Sequence, residues 1–537
     1  MLERLNSLLD RVDRTRFGPS ADQRPEDVPD RGAGQIPPLR GWPGPGGGRS
    51  SYLQPPREWR GTTAQVCGLW PYSVGAGAPL IGAPLGRHLF SGATVCGDPI
   101  SWFQHARFIP APTSFVLARE GFGKSTVVRR MATGCAYFGA IPLVLGDLKP
   151  DYPDLIRALG GEVIPLGRGR GYLNPLDMSV THDAVTLLDS GAGHLDGHER
   201  SKLRAELLSD ARGRRLGMIS ALATLQRHGP LSDHEDTILG VALSVLDERQ
   251  AGEPVLADLI ELLESAPERV RDAAYDQGSL KRYHELTAPL IRTLRGLLYE
   301  GRIGEMFSRQ TSRRMDLDHP AVFDVSTIPE DQSELVAAAL TTCWGVGFSA
   351  VHTRAAHGQA GVLPMRHYLV ILDELWRVLS AGHAGMVDRV NSLTRLNRQW
   401  GTGLVMITHT IKDLLSIARE HEQRKALGFV ERSGMLICGA LPPEEHKHLR
   451  GIKGFSDAEL RLITSWQDPP PWGATTSVAP PGQGKFLIKV GDRPGIPFHL
   501  TLTRTERRLG IHDTSKLWHL ERRPQAPVGA RVSGGVR

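Results

Sequence analysis

The sequence has few of the features that mark disulfide-linked or zinc-binding proteins. Only five of its 537 residues are cysteines, and aromatic residues make up 6% of the chain. The cysteines are scattered, odd in number and form no CxxC pair, which argues against a disulfide framework or a zinc site. We therefore expect a protein of a reducing compartment. The cysteines are Cys67, Cys96, Cys135, Cys343 and Cys438.

Long hydrophobic runs are also lacking. The first residues, Met1 to Asn6, lack the apolar segment of a signal peptide. Two long uncharged stretches, 61–86 and 335–353, are interrupted by Gly, Pro, Thr or Ser and do not resemble a membrane-spanning helix. We expect a cytoplasmic protein that reaches the cytoplasmic face of a membrane only through partners.

What is present is an ordinary globular composition with a small basic excess. The chain is 40% hydrophobic and 23% charged, which excludes a wholly disordered or fibrous protein. The net charge of +6 is concentrated in residues 503–537. A basic tail permits contact with DNA or anionic lipid, but a solvated tail is the simpler interpretation.

Hydrophobic patterning divides the chain into segments. From Thr113 onward, apolar strands alternate with helical patterns, which indicates an α/β domain with a mainly parallel sheet. Residues 183–310 instead show apolar residues at helical spacing, as expected for an inserted helical subdomain. The predicted divisions are an N-terminal helix with a Gly/Pro-rich linker (1–58), a small β region (59–110), a first core segment (111–182), the helical insertion (183–310), a second core segment (311–502) and the basic tail (503–537).

A phosphate-binding loop joins the first core strand to the helix after it. In the Walker A pattern, glycines allow the backbone N–H groups to surround a phosphate, Lys124 reaches the β- and γ-phosphates of ATP, and Ser125 coordinates Mg²⁺. Ala118 replaces the usual first glycine, and Glu120 must point outward or pair with Arg119. The alternative is a simple glycine turn. The loop residues are Ala118, Arg119, Glu120, Gly121, Phe122, Gly123, Lys124, Ser125 and Thr126.

A second acidic motif ends the apolar run that begins at His367. Asp373 and Glu374 follow this predicted strand, as in a Walker B motif with a catalytic acid. Asp373 is then expected to order the Mg²⁺ shell and Glu374 to activate water as a general base. The alternative is that the two acids only cap the helix that begins at Leu375.

A third polar position follows another predicted strand, 404–407. His409 at its end is a candidate to sense the γ-phosphate or to position water, the alternative being an ordinary polar residue. The preceding helix, expected from Leu375 to about Trp400, carries Arg389, Arg395 and Arg398. By default these arginines form a solvated face.

Taken in order, these segments resemble the conjugal-transfer and type IV secretion ATPases of the VirB/TraC kind, in the HerA–FtsK branch of P-loop motors. The resemblance covers roughly 80–500, and the Gly- and Arg-rich composition is typical of actinobacterial proteins. It rests on the segments Gly121–Thr126, Gly146–Tyr152, Ala158–Ile164, Gly171–Asp177, Leu372–Trp376 and Ile407–Leu414.

This resemblance implies a RecA-like P-loop core, a homo-hexamer with ATP and Mg²⁺ between subunits, and a Mg²⁺-dependent ATPase that energises a type IV secretion or conjugation apparatus. Arg398 matches the family's trans-acting arginine best, with Arg395 second, and His409 stands where the family has glutamine. Inner-membrane components of the apparatus are the implied partners. The alternatives are a HerA/FtsK-type or coupling-protein DNA translocase, although DNA binding is weakly supported, and a nucleotide-binding scaffold with a decayed ATPase.

Overall fold

The computed structural model describes residues 79–513, except 168, 192, 250–251, 299–304, 382–386, 388–389, 392–398, 418 and 470–479. The predicted N-terminal helix and linker, Arg389, Arg395, Arg398 and most of the basic tail lie outside the described residues.

Eleven strands of the described chain form one sheet in the order β2-β1-β11-β10-β9-β3-β8-β7-β4-β6-β5. Strands β3 to β9 are mutually parallel, whereas β10, β11, β1 and β2 extend the sheet by antiparallel pairing. The predicted α/β class with a mainly parallel sheet is confirmed. The strands are β1 (Pro84–His88), β2 (Thr94–Cys96), β3 (Thr113–Leu117), β4 (Ala140–Asp147), β5 (Glu162–Pro165), β6 (Ala321–Asp324), β7 (His367–Leu372), β8 (Thr402–Thr408), β9 (Met435–Cys438), β10 (Lys485–Lys489) and β11 (Ile496–Leu500).

Helices cover both faces of this sheet and enclose two large apolar clusters. Parallel strands buried on both faces read as continuous apolar runs, which is the pattern of β3, β7 and β8. The helices are α1 (Pro99–Gln104), α2 (Lys124–Tyr137), α3 (Pro153–Ala158), α4 (Ser179–Asp189), α5 (Gly197–Arg227), α6 (Asp233–Arg249), α7 (Leu256–Glu264), α8 (Glu268–Ala274), α9 (Leu280–Gly296), α10 (Ser333–Gln359), α11 (Leu375–Ala381), α12 (Ile411–Leu415), α13 (Glu420–Arg432), α14 (His446–Ile452), α15 (Asp457–Ser465) and α16 (Arg504–Leu509).

Helix α10 lies between the sheet and the helical insertion. Among the described residues it alone is long and apolar enough to cross a membrane, yet 83% of its most apolar window is buried inside the protein. Glycines allow close contact on two of its sides. A Cβ on Gly347 would lie 2.4 Å from Leu145 of β4, and one on Gly345 would lie 1.9 Å from Met218 of α5. Helix α10 is therefore packed as a core helix.

The helical insertion is joined to the sheet by the segment Gly171–Asp177, which resembles the family pattern. Asn174 is fully buried, and its amide donates to the Pro254 carbonyl and to Gln310 Oε1 at 2.8 and 3.2 Å. Asp177 Oδ2 accepts a hydrogen bond from the Thr311 hydroxyl at 2.7 Å. These contacts link the chain entering the insertion to the chain leaving it, which gives the motif a structural role.

The two ends of the described chain pack on the core. Strands β1 and β2, which we expected in a separate N-terminal region, belong to the core sheet through the pairing of β1 with β11. Residues 503–513, which we expected in a solvated tail, instead form α16 and a turn. Arg130 of α2 donates to Glu506 of α16 at 2.9 Å, and Arg129 donates to the Ile511 carbonyl at 2.7 Å. The C-terminal helix is thus tied to the helix that follows the phosphate loop.

The buried carboxylate of Glu506 makes this contact sensitive to pH. Burial alone would raise its pKa, but hydrogen bonds from His512 and Thr503 and the charge of Arg130 lower the pKa to about 2. Because the pKa is lower in the folded protein, the stabilisation is fully present above about pH 4.5 and is lost as the pH falls towards 2.

We expect Glu506→Gln to lower the free energy of unfolding at pH 7 by about 1–3 kcal/mol, because Arg130 loses a charged partner. Urea denaturation from pH 7 down to pH 3 measures this effect. The difference from wild type should shrink as the pH falls below the usual glutamate range. Glu420→Gln, which alters an exposed ion pair, is the control. A difference that does not change with pH would contradict this assignment.

Candidate nucleotide-binding site

Except for Arg398, which lies outside the described residues, the predicted site residues lie at the carboxyl edge of four neighbouring strands. In the sheet, β3 lies beside β8, β8 beside β7, and β7 beside β4. The phosphate loop follows β3, His409 follows β8, and Asp373 with Glu374 follows β7. Open α/β sheets bind their ligands at this edge.

The phosphate loop has the backbone that its glycines predict. Gly121 and Gly123 have φ values of +82° and +96°, in the left-handed region that side chains disfavour. Ala118 is not among the residues with positive φ, so a glycine is not required there. The Ala118 methyl group faces Gly439, directly after the neighbouring strand β9, where an added Cβ would lie 2.6 Å from the methyl carbon. Alanine in place of the first Walker A glycine is therefore tolerated, because the residue that faces it, Gly439, has no side chain.

The two charged side chains of the loop do not pair with each other. Glu120 is exposed and accepts a hydrogen bond from Lys149 at 3.1 Å, whereas Arg119 donates to Gln467 at 2.9 Å. Lys149, in the loop after β4, also lies 3.6 Å from Glu374. The expected outward direction of Glu120 is observed, and its partner is Lys149 instead of Arg119.

The segment before β10 forms hydrogen bonds with the phosphate loop, and the sequence did not reveal these contacts. Gln483 donates from its amide to the Gly121 carbonyl at 3.0 Å, and the Gly484 N–H donates to the Phe122 carbonyl at 3.2 Å. The Arg119 N–H in turn donates to the Ala440 carbonyl at 3.0 Å. Three carbonyl and amide groups of the loop are thus fixed by distant regions of the chain.

The acidic pair sits at a strained turn between β7 and α11. Glu374 has φ +52°, an uncommon value for a residue with a side chain, and such strain is often found at functional sites. Asp373 Oδ1 accepts the Glu374 N–H at 2.8 Å, and Glu374 Oε2 accepts from the Trp376 indole at 2.6 Å. The side chains are oriented by specific donors rather than left in solvent.

A chain of polar contacts connects the phosphate loop to the acidic pair through His409. Lys124 Nζ lies 2.7 Å from His409 Nδ1, and His409 Nε2 lies 3.3 Å from Glu374 Oε1. An ammonium group can only donate, so Nδ1 must accept, and the ring proton is then on Nε2, which donates to Glu374. Neutral histidine in this tautomer offers one acceptor and one donor, as a glutamine side chain does. His409 can therefore make the hydrogen bonds expected of the glutamine that the sequence resemblance implies at this position.

Burial and neighbouring charges set the protonation of these groups. Burial lowers the pKa of Lys124, against the opposing charges of Asp373 and Glu374. Burial, and then the charge of Glu374, raise the pKa of Asp373. Burial would also raise the pKa of Glu374, but the His409 and Trp376 hydrogen bonds and the charge of Lys149 lower it. Glu374 is therefore the stronger acid of the pair and ionises at lower pH than Asp373.

The residues present fit a phosphate ligand with Mg²⁺. Helix α2 begins after Gly123 with no side-chain hydrogen bond capping its first turn, so its N–H groups are suited to an anion. Ser125 and Thr126 lie in that first turn. The Ser125 hydroxyl and the Asp373 carboxylate are oxygen ligands of the type that Mg²⁺ prefers. The buried Thr408 hydroxyl at the end of β8 has no hydrogen-bond partner among the described residues.

Several solved structures resemble this chain to differing degrees. VirB4 of Thermoanaerobacter pseudethanolicus superposes with a TM-score of 0.58 at 17% identity, covering 80% of this chain and 100% of that one. The plasmid coupling protein TrwB in complex with ADP and Mg²⁺ gives a TM-score of 0.45 at 13% identity, covering 80% and 97%. The cytoplasmic domain of the Thermomonospora curvata type VII secretion ATPase EccC gives 0.29 at 13% identity, covering 78% and 28%.

Of these three, VirB4 alone has a TM-score above 0.5, and at this identity the likeness establishes a shared fold. No protein-family model matches the sequence, and no curated protein matches it either. The fold expected from the ordered motifs is thus confirmed, while the chemistry rests on the residues of the site.

The loop geometry predicts a large loss of ATP affinity for one substitution and a small change for another. Gly123→Ala should weaken ATP binding about five- to thirtyfold, because a side chain at this left-handed φ costs about 1–2 kcal/mol. Ala118→Gly should change the affinity by less than about fivefold, since a freer backbone costs at most about 1 kcal/mol. Equilibrium titration with a fluorescent ATP analogue measures both. Equal losses would contradict the different roles assigned to these positions.

Proposed function

We propose that the protein is a Mg²⁺-dependent ATPase that energises a type IV secretion or conjugative transfer apparatus. The observation that carries the proposal is the contact chain from Lys124 through His409 to Glu374. It joins a phosphate-binding lysine to a carboxylate suited to activate water. The fold shared with VirB4 supports the type of machine.

The chemistry follows from the roles that the side chains are able to take. Lys124 and the N–H groups of the loop bind the β- and γ-phosphates, and Ser125 with Asp373 would hold Mg²⁺, which neutralises phosphate charge. Glu374 accepts a proton from the attacking water, and His409 keeps the carboxylate oriented. Once the phosphates draw Lys124 away, His409 is left bound to Glu374 alone. ATP binding thereby removes Lys124 from the contact chain that ends at Glu374, the proposed base.

The working form in this proposal is a homo-hexamer with ATP between subunits, attached to inner-membrane components of the apparatus. Arg398 of one subunit then completes the site of the next and stabilises the charge on the transferred phosphate. This aspect of the proposal rests on the sequence resemblance.

A DNA translocase is the second candidate. It uses the same nucleotide chemistry, but it also needs a basic surface that follows the nucleic acid backbone. The basic excess of the sequence is instead concentrated in residues 503–537. This distribution of charge favours the secretion motor over the translocase.

Steady-state ATP hydrolysis with and without duplex and single-stranded DNA at fixed salt tests the proposal. We expect turnover that DNA changes by less than about twofold. Glu374→Gln should lower kcat by about 10²–10⁴-fold and leave ATP affinity nearly unchanged, because the amide cannot accept the water proton. Strong stimulation by DNA would favour the translocase. Unchanged hydrolysis in Glu374→Gln would remove Glu374 from the role of base.

Mixing two inactive variants tests the trans arginine. Lys124→Ala lacks phosphate binding and Arg398→Ala lacks the arginine, so each alone should lose at least about 10³-fold in turnover. In mixed hexamers, an intact loop from one variant meets an intact Arg398 from the other, and hydrolysis should partly recover. Mixing Lys124→Ala with Glu374→Gln is the control, because every subunit then carries a defect on its own side of the site and no site is complete. No recovery in the first mixture, with hexamers verified by mass, would contradict action in trans.

A further inference from the structure

Tyr152 is a buried residue next to the acidic pair that the proposed chemistry does not use. It immediately precedes α3 and is 0% exposed. Its hydroxyl donates to Asp373 Oδ2 at 3.0 Å. The two residues are 221 positions apart in the sequence, so this contact is created by the fold.

The main chain of Tyr152 is held from two sides. Its N–H donates to Asp147 Oδ2 at 2.9 Å, and Asp147, at the end of β4, is itself 2% exposed. The neighbouring Asp151 carbonyl accepts from Arg129 at 2.9 Å, and the same guanidinium donates to the Ser125 carbonyl at 3.1 Å. The hydroxyl is therefore placed by contacts that reach both β4 and the helix of the phosphate loop.

This arrangement leaves the Asp373 carboxylate little rotational freedom. Oδ2 accepts from Tyr152, and Oδ1 accepts from the Glu374 N–H at 2.8 Å. Each carboxylate oxygen can accept more than one hydrogen bond, so both oxygens retain capacity for a water molecule. Without the tyrosine hydroxyl, one of the two donors that fix the carboxylate would be lost.

We propose that Tyr152 is a positioning residue for Mg²⁺, acting by holding the Asp373 carboxylate in one orientation. The inference rests on the proposed function, because it assigns Asp373 to the metal. Residues that orient a metal-binding carboxylate commonly contribute about 10–100-fold to metal affinity. Nucleotide binding without metal should not depend on this hydroxyl, since the phosphates are held by the loop.

The test is Tyr152→Phe, which removes only the hydroxyl. The control is Tyr368→Phe, which removes a hydroxyl from an equally buried tyrosine on β7 that donates to the Leu317 carbonyl at 3.0 Å. Binding of a fluorescent ATP analogue is measured in EDTA and then at increasing free Mg²⁺. We expect Tyr152→Phe to raise the half-saturating Mg²⁺ concentration about tenfold. Affinity in EDTA should stay within about twofold of wild type, and the control should match wild type throughout.

A double-mutant cycle separates positioning from a general structural effect. In the Asp373→Asn background, Tyr152→Phe should cause no further change in Mg²⁺ dependence, since the carboxylate it orients is gone. Additive effects, or an equal loss of affinity in EDTA, would overturn the inference while leaving the proposed function intact. Wild-type binding that is weak or indifferent to Mg²⁺ would overturn the proposed function and this inference together.

Discussion

The contact between Lys124 and His409 is the interaction on which the site depends. It brings the cation of the phosphate loop within 2.7 Å of a residue that also binds the acidic pair. Because lysine can only donate, it fixes the histidine tautomer and so directs the Nε2 proton to Glu374. The neutral His409 ring, which follows β8, thus links Lys124 after β3 to Glu374 after β7. Its two nitrogens accept from the first and donate to the second.

This arrangement offsets part of the negative charge of the site before any phosphate is bound. Lys149 adds a second cation, in contact with Glu120 and Glu374. The donors around Glu374 stabilise its ionised form, and a carboxylate stabilised in this way is a weaker base. Phosphates that attract Lys124 and Lys149 would release some of that stabilisation. In the proposed mechanism, ATP binding and activation of the base are coupled through these side chains.

The sequence predicted the strands that carry the site because buried parallel strands read as unbroken apolar runs, as for β3 and β7. It predicted the loop because the glycines have a local conformational reason. It could not predict the Lys124–His409 contact, which spans 285 positions, or the partner of Glu120. The docking of α16 could not be predicted from the charge of the tail either, because it depends on the two buried arginines Arg129 and Arg130 of α2.

A structure of the Glu374→Gln protein with ATP and Mg²⁺ bound tests the central claim most directly. The account predicts phosphates within the loop that begins at Ala118, with Lys124 moved from His409 to the β- and γ-phosphates. It also predicts that His409 stays within hydrogen-bond distance of residue 374. Phosphates bound elsewhere, or Lys124 still on His409 in the saturated complex, would contradict the account.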